Sequence, residues 1–449
     1  MPQGITGQLS ALICGISFKT LDQATIAAVK HLIADGVAVA VAGSKEASSA
    51  IVAEYVRDLR CFAQSRAWGH GYKTSPVFAA YVNAVSMHAL DFEPMAIPPT
   101  HALSPVLPVA LALAEIGQAD GTQIIAACAK GLEMQVRVLA AAHHVSDSMP
   151  FHTPGVVGAL GSAVAASHLL KFDPPQLSNA LGIAASRTGG LRANVPSMMK
   201  DAHCGDAAAA GLEASLLAQR GFTSNSRILE SQQGYVAAFF PHRFDIDILL
   251  EFGRPYLCVR PGMAIKFYPS EFPTHFAITA ALKLRPKVGD LQRVKHVRIL
   301  APELADVDRP RPESGAKGKG SFQYTVAAAL LDGKVGINSF TNERRFRHDM
   351  LAMLDKISVV CDKRIPTAFR TMHVELTITT EDGKEFRQVC RSPPGFWGVP
   401  LVRAQHLAKL RDCLSVRLEY RQRERLLELL DNLEQLAPRE LGNLLALLA

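Results

Sequence analysis

The stretch SPVLPVALALAEI (residues 104–116) decides the fold class of this chain. It is apolar around most of the circumference that a helix would present, and such a helix is buried inside a larger helical bundle. Residues 121–142 show the same pattern. Residues 25–34 repeat apolar side chains at three- and four-residue steps, and Gly36 is expected to end that helix. The sequence therefore predicts helices over residues 1 to about 260.

The pattern changes near Gly262. Residues 294–300 and 372–379 alternate in polarity or carry β-branched side chains, as strands do. The tetrapeptide Glu381-Asp382-Gly383-Lys384 is typical of a hairpin turn between two such strands. A sheet is therefore predicted in this part of the chain.

Helical patterns lie between the predicted strands, at residues 322–331 and 342–356. Helical sequence with charged faces returns from Arg403 onward. The predicted fold is mainly α: a large all-helical domain (1–262 plus 403–449) with an inserted, smaller α+β lid domain (263–402).

Three glycines, Gly155, Gly158 and Gly161, recur at three-residue steps, which places them on one face of a predicted helix. Such a run can suggest a nucleotide-binding loop, but no Lys-Ser/Thr follows it and no strand pattern precedes it. We therefore predict that this helix packs closely against a neighbour.

The composition is that of a globular protein: 449 residues, 48% hydrophobic and 20% charged. Eight cysteines, none of them in a C-x-x-C pair, indicate neither a zinc ribbon nor a disulfide framework. The N-terminus lacks a signal-peptide pattern, and no apolar stretch is expected to reach the ~18 residues of a membrane span. A cytoplasmic protein without a membrane partner is expected.

The net charge of +7 suits a nucleic acid, a membrane surface or a small anion. Most basic residues are dispersed, and the aromatic residues (7%) are not interleaved with them, which disfavours nucleic acid. We predict a small anionic carboxylic acid as the ligand and no nucleic-acid partner.

Titratable residues interrupt the apolar sequence at four places. The first holds Asp91 and His101, with three prolines between them that force a loop. A carboxylate–imidazole pair at a helix start can orient a general acid or base. The alternative is that Asp91 caps a helix and His101 is a solvated loop residue.

The second place holds Arg192, Lys200 and His203 between Ala-rich helices. Cationic and imidazole groups in this setting suit the carboxylates of a ligand. An exposed loop between helices is the alternative.

The third and fourth places lie beyond the change in composition. Lys266 and His275 flank a Pro-rich segment, and His275 is either an acid/base group at a helix start or a surface residue of the first turn. Gln323 and Tyr324 follow a Gly/Lys-rich loop, and Tyr324 is either a proton donor or a core aromatic residue.

His143-His144 and His152 do not form a metal-ligand motif, and the sequence contains no H-E-x-x-H. A G-x-S-x-G nucleophile elbow is absent as well. We expect no metal, no other cofactor and no serine-hydrolase chemistry.

Five stretches in order resemble the MmgE/PrpD superfamily: YVNAVSMHALDFE (81–93), FHTPGVVGALGSAVAA (151–166), GIAASRTGGLRANVPSMMKDAHCG (182–205), IKFYPSEFPTHFAITAAL (265–282) and SFQYTVAAALLDG (321–333). The resemblance implies a helical domain with a smaller lid domain, a homodimer, and a cofactor-free active site in the cleft between the domains.

Carried over residue by residue, the resemblance implies five catalytic positions: Asp91, His101, Lys200, His275 and Tyr324. His203 and Lys266 lie in matching motifs. The residues expected to bind the substrate carboxylates and the rest of the substrate are Arg192, His203, Lys266 and Gln323.

This chain departs from the family pattern at Met95, where decarboxylase members carry threonine, and at Ile97, where a histidine is common. The predicted activity is that of a hydro-lyase of the 2-methylcitrate dehydratase type, which transfers a proton next to a carboxylate as water leaves. Decarboxylation or epimerisation of a related polycarboxylate, and non-catalytic polycarboxylate binding, are the alternatives.

Overall fold

Helices dominate the computed structural model, which describes residues 4–143, 149–195, 197–304 and 307–449. Helix covers 57% of the chain and strand 9%, so the predicted mainly helical class is confirmed at that level. The chain divides into two compact units. The first comprises Met1–Ile265 with Leu407–Ala449, and the second comprises Lys266–His406.

The α-helices and strands are numbered in chain order. The helices are α1 (Ile5–Cys14), α2 (Gln23–Gly43), α3 (Ala47–Asp58), α4 (Pro76–His88), α5 (Leu103–Gly117), α6 (Gly121–Ala141), α7 (Thr153–Leu169), α8 (Pro174–Ala185), α9 (Met199–Gln219), α10 (Tyr235–Phe239), α11 (Ile246–Leu250), α12 (Thr274–Val288), α13 (Phe322–Asp332), α14 (Asn342–Arg345), α15 (His348–Leu354), α16 (Arg403–Leu414), α17 (Tyr420–Asp431) and α18 (Pro438–Ala446). The strands are β1 (Ser65–Ala67), β2 (Tyr72–Thr74), β3 (Val294–Ala301), β4 (Ile357–Cys361), β5 (Val374–Thr380) and β6 (Glu385–Cys390).

Helices α4, α5, α6, α7 and α9 pack together in the first unit, at distances set by small residues. A Cβ atom added to Gly158 of α7 would lie 2.8 Å from the Cβ of Ala207 on α9. One added to Gly161 would lie 2.5 Å from the side chain of Gln135 on α6. Neither site has room for a side chain. The predicted close packing of the glycine face of α7 is therefore confirmed.

Two expectations for the first unit are wrong. Helix α2 does not end at Gly36 but runs through it to Gly43. Glycine is required there by packing, because an added Cβ would lie 2.6 Å from the side chain of Leu103 on α5. The unit is also not all-helical, because β1 and β2 form a short antiparallel hairpin. Its turn contains Gly69 and Gly71, both at positive φ, where glycine is favoured.

Helix α2 has the length and hydropathy of a membrane span, contrary to the expectation from the sequence. In the fold, however, 78% of its most apolar 18-residue window is buried within the chain. Mostly buried core helices also meet the length and hydropathy criterion, so the finding is weak support for a membrane span.

The second unit contains a four-stranded sheet in the order β4-β3-β5-β6. Strand β3 pairs parallel to β4 and antiparallel to β5, with Ile299 opposite Leu376. Leu376 and Ile378 are two positions apart on β5, so they lie on the same face of the strand, and both are buried. Helix α12 packs against β5. Residues 381–384 connect β5 to β6, as the predicted hairpin turn requires, with Gly383 at φ +80.

The predicted helix over residues 342–356 is wrong as a single element. It is divided into α14 and α15 at Phe346 and Arg347. The side chain of Arg344 bridges this break, because it contacts Asp332 on α13 at 2.8 Å and Asp349 on α15 at 3.0 Å. Strand β4, which follows directly, was not predicted.

Candidate active site

The site is built on the loop that follows α4. His88 is the last residue of α4, and the Asp91 backbone donates a hydrogen bond to the His88 carbonyl at 2.9 Å. Asp91 has φ +50, a left-handed conformation that only a few per cent of non-glycine residues adopt. Residues held in this region cluster at functional sites. The loop therefore presents its carboxylates in a constrained geometry just before α5 begins.

Lys200, in the first turn of α9, reaches the loop from the opposite side. Its Nζ donates to Asp91 Oδ1 at 2.9 Å, across 109 positions of sequence. Burial lowers the pKa of Lys200, but the Asp91 carboxylate and its hydrogen bond outweigh burial, so the net shift is upward. Lys200 is therefore an ammonium group at neutral pH and supplies a fixed positive charge.

Glu93 is fully buried, and its carboxylate is shared by three partners. Its Oε1 is in short contact with His88 Nδ1, lies 3.1 Å from His101 Nδ1, and accepts a hydrogen bond from Ser104 Oγ at 3.0 Å. Burial raises the pKa of Glu93, but the two imidazoles outweigh burial and hold it well below the usual range. Glu93 is therefore ionised and orients both rings.

His101 connects the two carboxylates of the loop. Its Nδ1 faces Glu93, and its Nε2 lies 3.5 Å from Asp91 Oδ1. Burial lowers the pKa of His101 to about 4, although both carboxylates raise it in part. At neutral pH the ring is neutral, so it can accept a proton at one nitrogen while donating at the other.

His152 and His203 extend the group towards α7 and α9. His152 precedes α7, and its Nδ1 is 3.2 Å from Nδ1 of His203 in α9. The His152 backbone donates to the Gly190 carbonyl at 2.9 Å, and Gly190, at φ +112, lies directly against the His203 ring. Burial holds the pKa of His152 well below the usual value and lowers that of His203.

Four of these residues, His88, Asp91, Glu93 and His101, bring ligand atoms within 4.8 Å of one another, a group that a metal ion could use. Asp91 is already paired with the Lys200 ammonium group, and Glu93 is shared by two imidazoles. The internal pairing favours acid/base chemistry on an anionic ligand. Among the histidines named in the sequence, His144 lies outside the described residues.

The structure brings together Asp91, His101 and Lys200, with His203 beyond them. It leaves Arg192 exposed on a short 3₁₀ helix. Arg192 also has an interaction within the chain.

Sequence reasoning did not assign roles to His88, Glu93 and His152. For Glu93 a signal existed, because a carboxylate between Phe92 and Pro94 interrupts apolar sequence. His88 lies in the same polar stretch, but its contact with Glu93 depends on how the loop after α4 folds back. His152 gave no comparable signal, since its contact with His203 depends on the packing of distant helices.

The remaining predicted residues belong to the second unit. The His275 ring stacks on Phe272 at 5.2 Å between centroids and meets Tyr268 edge-on at 5.1 Å. Burial raises the pKa of Tyr324 to about 12, and its hydroxyl donates to the Ser339 carbonyl. That contact is typical of a structural tyrosine, and the proton-donor role of Tyr324 stays a prediction.

The two predicted substrate-binding residues of the second unit also have partners within it. Gln323 Nε2 donates to Asp308 Oδ1 at 2.6 Å. Lys266 is 1% exposed, and its Nζ lies 3.4 Å from the Ser270 carbonyl. Substrate binding by these two residues stays a prediction.

One buried carboxylate, Glu93, and one partly buried carboxylate, Asp91, thus lie among imidazoles and an ammonium group, a combination that clusters at functional sites. Its sequence matches the MmgE/PrpD N-terminal domain over residues 7–247 and the MmgE/PrpD C-terminal domain over residues 268–435. The chain belongs to the MmgE/PrpD family.

Three relatives of this chain have cis-aconitate decarboxylase in their names. It is 30% identical to cis-aconitate decarboxylase of Mus musculus, over 97% of this chain and 92% of that protein. It is 30% identical to cis-aconitate decarboxylase of Homo sapiens, over 97% of this chain and 93% of that protein. A cis-aconitate decarboxylase-like protein of Aspergillus oryzae is 23% identical over 88% of both chains.

Proposed function

We propose that this chain is a lyase that removes carbon dioxide from a small unsaturated tricarboxylic acid of the cis-aconitate type. The observation that carries the proposal is the series of contacts Lys200–Asp91–His101–Glu93, with Glu93 and His101 buried and Lys200 and Asp91 partly buried, in a chain whose relatives over nearly its whole length are decarboxylases. The sequence favoured dehydration, and decarboxylation was its alternative. The relatives favour the alternative.

The proposed reaction breaks one bond between a carbon atom and a carboxylate. The electron pair of that bond stays on the carbon skeleton, where the neighbouring double bond and carboxylate delocalise it. A proton then binds to carbon, and the products are carbon dioxide and an unsaturated dicarboxylate. The site must hold the remaining carboxylates, stabilise the carbanion and supply one proton.

The residues of the first unit suit these tasks. Lys200 is a fixed cation that can pair with a substrate carboxylate while Asp91 orients it. His101 is a neutral imidazole held between Asp91 and Glu93, and we assign to it the transfer of the proton to carbon. His275 and Tyr324 remain the predicted acid/base partners from the second unit, and a homodimer remains the predicted assembly.

The test of the proposal is a comparison of three acids with the purified chain. Proton NMR of cis-aconitate, 2-methylcitrate and iminodisuccinate mixtures distinguishes decarboxylation, dehydration and epimerisation by their products. We expect an unsaturated dicarboxylate and carbon dioxide from cis-aconitate. Formation of a dehydrated tricarboxylate from 2-methylcitrate, with no carbon dioxide from cis-aconitate, would restore the hydro-lyase prediction.

Variants of the same chain test the assigned residues. Lys200→Met and His101→Asn should each lower kcat/KM on cis-aconitate by at least about 100-fold. Lys45→Met removes an exposed lysine and serves as the matched control, with wild-type turnover expected. Wild-type turnover in either site variant would overturn the corresponding role. Binding of cis-aconitate by calorimetry without any product would instead support a non-catalytic binding protein.

A further inference from the structure

Four imidazoles form a continuous series in the first unit. The ring centroids of His101 and His88 are 4.5 Å apart, those of His88 and His152 are 5.7 Å apart, and those of His152 and His203 are 5.4 Å apart. The four rings come from the loop before α5, the end of α4, the start of α7 and the first turns of α9. Tertiary packing therefore brings them together.

The inner end of this series is the carboxylate pair of the site. Glu93 contacts both His88 Nδ1 and His101 Nδ1, and Asp91 faces His101 Nε2. The second nitrogen of the His88 ring, Nε2, is buried and has no hydrogen-bond partner among the described residues. The His152 ring is the next imidazole, with its centroid 5.7 Å from that of His88, a separation that one bridging water can span.

The outer end is His203, which lines a cavity of about 340 Å³. The lining also includes Arg187 and Asn194, both of which are exposed, so the cavity reaches the surface of the chain. The His203 ring is held at the cavity wall by Gly190, where an added Cβ would lie 3.1 Å from it. His203 thus lies between the buried histidines and the solvent.

We propose that His203, His152 and His88 form a proton relay that carries a proton from the cavity to Glu93 Oε1, which contacts His88 Nδ1 and lies 3.1 Å from His101 Nδ1, so that this carboxylate passes the proton on to His101. The inference rests on the proposed function, because decarboxylation consumes one proton in each turnover: R–COO⁻ + H⁺ gives R–H + CO₂. A buried site must take that proton from solvent before the next cycle. Dehydration returns its proton as water and has no such net requirement.

The charges around the series suit this role. Burial keeps the pKa of His101, His152 and His203 below the ordinary value, so these rings are neutral at neutral pH and can each accept and donate. Lys200 faces His152 and opposes a lasting charge there, whereas Asp201 favours a proton on His203. Arg187 and Asp206 are the other charged groups that line the cavity. A proton from the cavity can therefore bind to His203, whereas the positive charge of Lys200 disfavours a protonated His152.

The test uses His203→Asn at the outer end and His152→Asn in the middle of the relay. Turnover of cis-aconitate is measured in dilute, bulky zwitterionic buffer and again with added imidazole. Both variants should lose at least about tenfold in kcat in the dilute buffer, with little change in KM. Added imidazole should restore most of the rate of His203→Asn, because a small base can enter the cavity. A purely structural defect would not respond to it.

His168→Asn is the matched control, because His168 lies in the last turn of α7, at the opposite end of the helix that His152 precedes. It should keep the wild-type kcat in both buffers. If the wild type is active and His203→Asn keeps its rate in dilute buffer, or loses rate without rescue, the relay is wrong and the proposed function stands. If the wild type releases no carbon dioxide, the proposed function fails and the relay fails with it.

Discussion

Two buried groups of polar side chains meet at Phe92 and Glu93, and they differ in how completely their polar atoms are paired. On one side, Lys409 Nζ contacts Asp35 Oδ1 at 2.8 Å and the Phe92 carbonyl at 2.9 Å, and lies 4.0 Å from the centre of the Phe92 ring. On the other side, Glu93 Oε2 and His88 Nε2 have no hydrogen-bond partner among the described residues. Both groups are withdrawn from water.

The first group is a structural ion pair, and the second is a candidate functional group. The Asp35–Lys409 pair joins α16 to α2 and holds the backbone next to Asp91, so its charges are used for folding. The histidine–carboxylate cluster keeps buried polar atoms unsatisfied, which costs stability unless a ligand or a transferred proton uses them. Removing a charge from the Asp35–Lys409 pair should therefore lower stability more than activity. Removing one from the histidine–carboxylate cluster should lower activity more than stability.

The largest effect is expected at the structural pair. Lys409→Met removes the ammonium group that pairs with the buried Asp35 and should lower the free energy of unfolding by about 3–5 kcal/mol, as measured by urea denaturation. Adding Asp35→Leu to the same chain should recover much of that loss, because the buried carboxylate is removed together with the ammonium group. The control is Arg411→Met, which removes an exposed arginine of the same helix that pairs with Glu424 of α17. It should change the free energy of unfolding by under about 1 kcal/mol. If Lys409→Met lowers the free energy of unfolding no more than this control does, the structural role of the Asp35–Lys409 pair is wrong.

The next effect is expected at the histidine–carboxylate cluster, and mainly on activity. Glu93→Gln removes the charge that orients His88 and His101, so kcat/KM on cis-aconitate should fall by about 100-fold or more. Its unfolding free energy should fall by only about 1.5–3 kcal/mol, the usual value for hydrogen bonds to a charged group. Full activity together with a larger loss of stability than in Lys409→Met would make Glu93 a structural residue.

The smallest effect is expected in the dependence of stability on pH. Burial lowers the pKa of His70, His101 and His168 to about 4, whereas histidines of the unfolded chain titrate near about 6.5. Between these values the unfolded chain binds protons that the folded chain does not, so stability falls as the pH is lowered. Each ring contributes up to about 1.4 kcal/mol per pH unit.

The pH effect can be measured by urea denaturation between pH about 6.5 and 5, which is above the range in which most carboxylates titrate. His101→Asn should flatten the slope, whereas Lys409→Met should shift the whole curve and leave the slope unchanged. An unchanged slope in His101→Asn would mean that this ring is already protonated in the folded chain.

The parts of the fold that could be predicted from sequence are those with a long local signal. Helices α5 and α6 lie within a residue of the predicted 104–116 and 121–142, because fully buried helices have uninterrupted apolar sequence. Strand β4 has only five residues, and the hairpin of β1 and β2 has strands of three, which is too short for a periodic pattern. The break between α14 and α15 is stabilised by the tertiary ion pairs of Arg344, which local sequence does not show.

The candidate site was predictable in part for the same reason. Asp91, His101 and Lys200 were indicated by polar residues in apolar surroundings and by the family resemblance, and the structure brings them together. The contact between His152 and His203 joins positions 51 residues apart, and it depends on how α7 packs against α9. No spacing rule within one helix or strand indicates such a pair.

One measurement tests the central claim, that the imidazole–carboxylate cluster supplies a solvent-derived proton to carbon as carbon dioxide leaves. The wild-type chain is incubated with cis-aconitate in D₂O, and the product is examined by NMR and mass spectrometry while released carbon dioxide is counted. We expect one carbon-bound deuterium in each product molecule for each carbon dioxide released. A product that keeps all three carboxylates, or that contains no deuterium, would contradict it.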